Sequence, residues 1–125
     1  MSKILIIEDE DIILEPLSEM LRGENFDVVA ASSGETGLKL AATEQPDLIL
    51  CDVVLTGMDG HAVLQSLRAD PAIGRTPVIF LTGQASPQEI RTGYSLGADD
   101  YLCKPVAWPV MLAAIRKQLA KARPA

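Results

Sequence analysis

The sequence predicts an α/β fold: a doubly wound, five-stranded parallel sheet with helices on both faces. Five short apolar runs recur along the chain, and segments with a helical spacing of apolar residues lie between them. Such alternation is typical of a parallel sheet with right-handed crossovers. The 125 residues, nearly half of them apolar, can fill one core but are too few for two ordinary domains. We therefore expect a single domain.

The five predicted strands are the apolar runs themselves. They read KILII near Lys3, FDVVAA near Val28, DLILC near Ile49, PVIFL near Ile79 and DYLC near Leu102. Runs that are apolar throughout are typical of strands buried on both faces of a sheet.

The first and last helices are predicted from apolar spacing. The residues that carry this spacing are Ile13, Leu17, Met20 and Leu21 in the first helix and Met111, Leu112, Ile115 and Leu119 in the last. Pro16 interrupts the first pattern, because proline inside a helix removes one hydrogen bond and costs about 3 kcal/mol. We expect either a kink or a late start there.

Two further helices carry start signals. Ser32 followed by Glu35 has the form of a capping box, and so does Ser86, which precedes Pro87 and an acid three residues on. Gly97 is expected to end the helix that Ser86 begins.

Charge and hydropathy exclude several classes of function. Eleven basic and seventeen acidic side chains give a net charge of −6, and no basic stripe interleaves with aromatic residues, so we expect no direct nucleic-acid contact. The apolar runs are too short for a membrane span, and the start MSKILIIEDE does not resemble a signal peptide. We expect a cytoplasmic protein with no membrane partner. Cys51 and Cys103 are expected to be buried free thiols.

Polar side chains follow four of the predicted strands. Ligands of open α/β sheets bind beyond the carboxyl ends of the strands, so these residues are expected to meet at one edge. Three carboxylates brought together repel one another unless a cation lies among them, and oxygen ligands suit Mg²⁺. The residues are Glu8 and Asp9 after the first strand, Asp52 after the third, Thr82 and Gly83 after the fourth, and Lys104 and Pro105 after the fifth.

Each of these residues also has an ordinary structural explanation: acids cap helices, a threonine bonds at a strand end, and a lysine is usually a surface charge. Together they favour a site for a phosphoryl group, because a divalent cation and one amine would neutralise its oxygens. Asp52 would then be nucleophile as well as ligand. Gly57 and Gly60 would let the following loop lie close to Asp52 while leaving the site open.

Four segments together resemble the receiver domains of two-component response regulators. They are IIEDED, PDLILCDVVLTGMDG, TPVIFLTG and GADDYLCKP, and they match in order and spacing over essentially the whole chain. The resemblance implies a flavodoxin-like strand order 2-1-3-4-5. It also implies a receiver domain over residues 1–121, followed by a tail or the start of a linker over residues 122–125.

The resemblance assigns roles in binding Mg²⁺. Asp52 is expected to be the phosphoacceptor and Asp9 a direct metal ligand, while Glu8 acts largely through bound water. The backbone carbonyl of Val54 would complete the protein's share of the metal shell.

It also assigns roles around the phosphoryl group. Lys104 and Thr82 would each bind a phosphoryl oxygen, with Gly83 in the same phosphate site. Tyr101 would be the aromatic residue that turns inward when Thr82 moves. We also expect a cis bond between Lys104 and Pro105, because the amine must turn back to the edge and cis costs only about 0.5–1 kcal/mol before proline.

The implied function is a signalling switch rather than an enzyme acting on a separate substrate. A histidine kinase or phosphotransfer protein would phosphorylate Asp52, and the surface of the fourth helix, fifth strand and fifth helix would change for an unknown output protein or fused effector. The domain would catalyse only its own phosphorylation and dephosphorylation. One alternative is a pseudo-receiver that acts as a docking module. A Mg²⁺-dependent phosphohydrolase is weaker, because no glycine-rich loop is present and Val54 stands where a second acid would be needed.

The chain departs from the usual receiver pattern at four positions outside the phosphorylation chemistry. Thr56 replaces a proline, Gly37 an alanine, Val106 a bulky aromatic residue and Ala107 a capping hydroxyl. His61, the single histidine, is expected to be a solvated surface residue.

Assembly is expected to be weak. Winged-helix regulators dimerise through ion pairs on the face of the fourth helix, fifth strand and fifth helix, and this chain keeps acids there at Asp99 and Asp100. Motif alignment places Ile90 and Ala114 where that subfamily has arginines. With Tyr94 and Trp108, the face is apolar and aromatic, so we expect a monomer or weak dimer before phosphorylation.

Overall fold

The computed structural model describes residues 1–83 and 86–122, which form five strands and five helices in strict alternation. The strands are β1 (Lys3–Ile7), β2 (Asp27–Ala31), β3 (Leu48–Asp52), β4 (Val78–Thr82) and β5 (Asp100–Cys103). The helices are α1 (Asp11–Gly23), α2 (Gly34–Glu44), α3 (Gly60–Ala69), α4 (Pro87–Ser95) and α5 (Trp108–Ala122). All five predicted strands are therefore present.

The strands form one parallel sheet in the order β2-β1-β3-β4-β5. This order confirms the predicted doubly wound, flavodoxin-like fold. The order reverses at β1, so the carboxyl ends of β1 and β3, which are neighbours, form the crevice where ligands of such sheets bind.

The core has two halves, one on each face of the sheet. On one face, side chains of α1 and α5 pack against alternate strand residues such as Ile6, Leu50 and Ile79. On the other face, α2 and α3 pack against the intervening residues, such as Ile7 and Phe80. Strands β3 and β4 are buried at every position, which explains why their sequences are apolar without alternation.

Helix starts agree with the sequence in one case and differ in another. The Ser86 hydroxyl accepts from the backbone N–H of Glu89 and caps α4, and Gly97 follows the end of that helix with φ 105°. The cap of α2, however, is Ser33 rather than Ser32, and it accepts from the N–H of Thr36. The two adjacent serines offer the same capping chemistry, so the sequence pattern alone does not distinguish them.

Helix α1 begins at Asp11 and continues past Pro16, so a late start is wrong. Pro16 cannot donate to the carbonyl of Ile12, and Ile12 is 82% exposed.

Two side chains lie in surroundings that differ from those expected. Cys51 is a buried free thiol as predicted, but the free thiol Cys103 is exposed at the end of the edge strand β5. His61 is half-buried rather than solvated, because its ring packs edge-on against Phe80 at a centroid distance of 5.5 Å.

In the described ranges, no helix is both long and apolar enough to cross a membrane. Of the tail predicted at residues 122–125, Ala122 ends α5 and the other three lie outside the described residues.

Candidate functional site

Three carboxylates meet at the carboxyl edge of the sheet, as the sequence predicts. Glu8 and Asp9 directly follow β1, and Asp52 is the last residue of β3. One carboxylate oxygen from each lies within 4.8 Å of the others. Glu8 and Asp52 are buried, whereas Asp9 is partly open to solvent. Oxygen donors at this spacing fit a hard divalent cation such as Mg²⁺.

Lys104 joins two of these acids. Its ammonium Nζ lies 2.8 Å from Glu8 Oε1 and 2.9 Å from Asp52 Oδ2. The bond between Lys104 and Pro105 is cis, as expected. The amine thereby offsets part of the charge of the buried acids.

The pKa values of Glu8 and Lys104 reflect the different surroundings of the two groups. Burial chiefly raises the pKa of Glu8, the hydrogen bond from Lys104 lowers it, and the charge of Asp52 raises it again. Burial alone would lower the pKa of Lys104, but hydrogen bonds to Glu8 and Asp52 outweigh it and raise the pKa above the usual value. Both pKa shifts follow from one amine that is shared between two acids. Lys104 has two carboxylate partners, whereas Glu8 shares this amine with Asp52, whose negative charge repels its own.

The third acid, Asp9, takes its hydrogen bonds from the loop after β3. The backbone N–H and the hydroxyl of Thr56 both donate to Asp9 Oδ2, each over 2.9 Å. The backbone bond from Thr56 is the chief cause that lowers the pKa of Asp9. Sequence reasoning noted Thr56 only as a departure from the family pattern, because no pattern shows a bond between residues 47 positions apart.

Two glycines allow the loop after Asp52 to fold back. Gly57 has φ 81°, in the left-handed region that glycine tolerates best. A Cβ at Gly60 would lie 2.5 Å from the carbonyl oxygen of Asp52 and 2.8 Å from Cα of Val53. A side chain there would therefore displace the backbone that carries Asp52.

The remaining predicted residues lie around the same edge. Thr82 is fully buried at the end of β4, and Gly83 follows it in an exposed bend. Val54 is 65% exposed, and its backbone N–H donates to Asp52 Oδ1 over 3.1 Å.

Tyr101 has its ring packed inward, against Phe80 at a centroid distance of 5.5 Å. The side chain is buried, and burial raises the pKa of its hydroxyl. Among the described residues, that hydroxyl has no hydrogen-bond partner. A row of rings runs from His61 through Phe80 and Tyr101 to Tyr94.

An apolar groove of about 500 Å³ lies beside Lys104, and sequence reasoning missed it. It runs between α1 and the start of α5, and Ile12, Pro16, Met20 and Trp108 are among its walls. Ile12 was the available signal in the sequence, since it lies outside the apolar spacing predicted for α1, and the structure leaves this residue 82% exposed. Trp108 thus packs beside α1 rather than at the face of α4 and β5.

The face of α4, β5 and α5 differs from expectation at two further residues. Asp99 is not a free acid, because its Oδ2 accepts from Arg68 Nη2 over 2.9 Å and from the N–H of Val78 over 2.8 Å. Ala114 is buried against the sheet instead of lying on the surface. Tyr94, which is 47% exposed, and Asp100 remain at this face, 3.4 Å apart at their oxygens.

Comparison with known proteins agrees with the arrangement of residues at this site. The family model of the response regulator receiver domain matches residues 4–116. The chain is 40% identical to the transcriptional regulatory protein AfsQ1 of Streptomyces coelicolor and 40% identical to RpaA of Synechocystis, a DNA-binding dual master transcriptional regulator. Each match covers 97% of this chain and 52% or 50% of the relative, so the chain spans about half the length of these curated relatives.

A solved structure supports the fold assignment over nearly the whole chain. A crystal structure of a putative response regulator from Chloroflexus aurantiacus superposes with a TM-score of 0.90 at 34% identity, covering 95% of this chain and 98% of the other. Family match, relatives, strand order and acid cluster agree. The chain belongs to the receiver domain family of two-component response regulators.

Proposed function

We propose that this domain is a phosphorylation-dependent switch and that Asp52 is its phosphoacceptor. The observation that carries the proposal is the convergence at one sheet edge of Asp52, two further acids within 4.8 Å and the ammonium of Lys104 at 2.9 Å. Asp52 ends a strand that is buried at every position, so its carboxylate stands on a rigid support. We assign the domain to residues 1–121.

Glu8, Asp9, Asp52 and the backbone carbonyl of Val54 would hold Mg²⁺. When bound, Mg²⁺ supplies positive charge that offsets the phosphoryl oxygens. In this proposal Asp9 is a direct ligand and Glu8 acts largely through water. The exclusively oxygen donor set supports that choice of metal.

Phosphorylation exchanges one bond to phosphorus for another. A carboxylate oxygen of Asp52 forms the new P–O bond while the P–N bond of a phosphohistidine breaks, and the leaving imidazole keeps the electron pair and takes up a proton. Hydrolysis breaks the new P–O bond with water and returns the carboxylate and inorganic phosphate. Lys104 and Thr82 each bind a phosphoryl oxygen, and Gly83 lies in the same phosphate site. The chain turns over no other substrate.

Switching would pass through Thr82 and Tyr101. They lie on the neighbouring strands β4 and β5, with Phe80 of β4 paired to Tyr101 in the sheet. Movement of Thr82 towards the phosphoryl group would change the space next to Tyr101, whose ring is packed inward. The surface of α4, β5 and α5 would change with it.

The phosphodonor would be a histidine kinase or a phosphotransfer protein, and we propose that it docks on the groove between α1 and α5. Lys104 lines this groove and also contacts Asp52, so a partner seated there could present a phosphohistidine at the acceptor. The groove walls are apolar, which suits a helix of the donor.

The output would be a separate protein or a fused effector, and the chain spans only about half the length of its longer relatives. Some of those relatives are named as transcriptional or DNA-binding regulators. We assign no nucleic-acid contact to residues 1–121, because the net charge of the chain is −6.

Intact-mass spectrometry tests the acceptor. Incubation with acetyl phosphate and Mg²⁺ is expected to add one phosphoryl mass to the wild type and none to Asp52→Asn. Asp59→Asn is the matched control, because Asp59 lies in the same loop and only caps α3. Labelling of Asp52→Asn at the wild-type rate would show that the acceptor is misassigned. A wild type that takes no label would instead favour a pseudo-receiver.

A further inference from the structure

Thr56 connects the two loops that flank the acid cluster. It lies between β3 and α3, and both of its donors reach Asp9 in the loop between β1 and α1. Both bonds end on the same oxygen, Oδ2, so neither occupies Oδ1. Two donors on one oxygen fix the torsion of a carboxylate more firmly than either could alone.

This pair of bonds is a property of this chain rather than of the usual receiver pattern. Proline, the common residue at this position, has neither a backbone N–H nor a hydroxyl and could make neither bond. Thr56 is exposed, so the bonds do not arise from burial of a polar side chain that needs partners.

Asp9 is held by different partners from those of the other two acids. Lys104 forms ion pairs with Glu8 and with Asp52, both within 2.9 Å. The Asp9 carboxylate instead accepts two hydrogen bonds from Thr56. Thr56 therefore lowers the cost of holding a third carboxylate within 4.8 Å of two others.

We propose that Thr56 is a positioning residue for the divalent cation: it holds Asp9 by Oδ2 and leaves Oδ1 for the metal. The inference rests on the proposed function, because it takes the acid cluster as the cation site. Mg²⁺ demands near-ideal geometry, so a ligand fixed before binding loses less freedom when the ion arrives. Partners that orient a metal ligand from outside the coordination shell commonly change affinity by about 10–100-fold.

Direct binding of Mn²⁺, followed by the electron paramagnetic resonance signal of the free ion, tests the proposal without any phosphorylation. Thr56→Val removes the hydroxyl bond and keeps the shape of the side chain and the backbone bond, so we expect an affinity loss smaller than about tenfold. Thr56→Pro removes both bonds, and the loss should approach about tenfold.

Two further variants separate positioning from packing. Thr56→Ser keeps both donors and loses only a methyl group, so it should bind Mn²⁺ like the wild type. If Thr56 acted through packing, the ranking would reverse, with valine near wild type and serine impaired. Thr43→Val is the matched control, because the Thr43 hydroxyl donates only to carbonyls of its own helix.

We expect the Mn²⁺ dissociation constant to be the same for the wild type, Thr56→Ser and Thr43→Val. It should be higher for Thr56→Val and highest for Thr56→Pro. Should the Thr56→Pro protein fail to fold, the comparison of Thr56→Ser with Thr56→Val decides alone. Equal or tighter binding by Thr56→Val, with a wild type that binds, overturns the positioning role and leaves the proposed function standing. A wild type that binds no Mn²⁺ at millimolar concentration overturns both.

Discussion

Glu8 shows how residue-scale electrostatics should affect stability. Its carboxylate is buried, it faces Asp52, and Lys104 is its ion-pair partner. Burial is the main cause that raises the pKa of Glu8 above its ordinary value. A raised pKa in the folded state means that the folded protein holds this proton more tightly than the unfolded chain does. The contribution of Glu8 to stability is therefore fully present below its ordinary pKa and is lost as pH rises through the raised value.

We predict that Glu8→Gln is more stable than the wild type at neutral pH. The amide cannot ionise, and its oxygen can still accept from Lys104. The advantage should shrink on acidification and vanish below the ordinary pKa of glutamate, where the wild-type side chain is also neutral. Urea unfolding at several pH values measures the difference, with the more exposed Glu24→Gln as control. A variant that is less stable than the wild type at neutral pH would mean that the pair with Lys104 outweighs burial.

Residue types and their order along the chain predicted the acids and Lys104, because parallel strands deliver their carboxyl ends to one edge. The contacts of Thr56 and Arg68 could not be predicted in the same way. Arg68 binds Asp99 and the carbonyls of Gly74, Thr76 and Gly97, which its own helix α3 does not reach. Such bonds depend on how loops fold, and they tie up Asp99, which the sequence presents as a free acid.

At the scale of elements, helix α1 presents a surface that its core packing does not require. Leu14, Leu17 and Leu21 face the sheet, while Ile12 and Met20 line the groove beside Lys104. The sequence predicted that α1 is amphipathic, but only the packing of α5 beside it creates the groove.

We predict that Ile12→Ser slows phosphotransfer from a histidine-phosphorylated donor protein by roughly fivefold, the effect of losing about 1 kcal/mol of contact. Labelling by acetyl phosphate should be unchanged, because that small donor needs no docking surface. Val110→Ser is the matched control, since Val110 is 54% exposed and does not line the groove. If the donor protein phosphorylates Ile12→Ser and Val110→Ser equally fast, the groove is not its docking site. The same conclusion follows if Ile12→Ser also reacts more slowly with acetyl phosphate.

Most of the strands and helices could be predicted from the sequence, and the predictions that were wrong have local causes. All five strands follow from apolar runs, and Ser86 with Pro87 correctly marks the start of α4. The sequence gives no reason for a glycine at position 37. In the structure, a Cβ at Gly37 would lie 2.5 Å from Cδ1 of Ile7 in β1. A glycine thus lets α2 approach the sheet closely, and only the packed structure reveals that need.

For the whole molecule, the acid cluster should link metal binding to stability. A cation that binds only the folded state stabilises it by about 2.7 kcal/mol at a hundred times its dissociation constant. We predict a melting temperature that rises with millimolar Mg²⁺ and a much smaller rise for Asp9→Asn, measured by calorimetry. An unchanged melting temperature in the wild type would count against the metal site.

Assembly is also a property of the whole molecule. The acid Asp99 is bound within the chain, Ala114 is buried and uncharged, and Tyr94 is exposed beside Asp100, so the ion pairs of the winged-helix arrangement are incomplete at these positions. We predict a monomer or weak dimer in sedimentation, both with and without beryllofluoride as a phosphoryl mimic. A tight, salt-sensitive dimer that forms on activation and disappears in Asp100→Ala would contradict this.

We propose that this receiver domain carries its phosphoryl group on Asp52, and chemical trapping tests this assignment directly. Borohydride reduces an aspartyl phosphate to homoserine and leaves free carboxylates intact, so peptide mapping after phosphorylation with acetyl phosphate and Mg²⁺ locates the acceptor. We predict homoserine at position 52 alone, and none when the reaction lacks Mg²⁺. Homoserine at Asp9 or Asp59 with position 52 unchanged would contradict it.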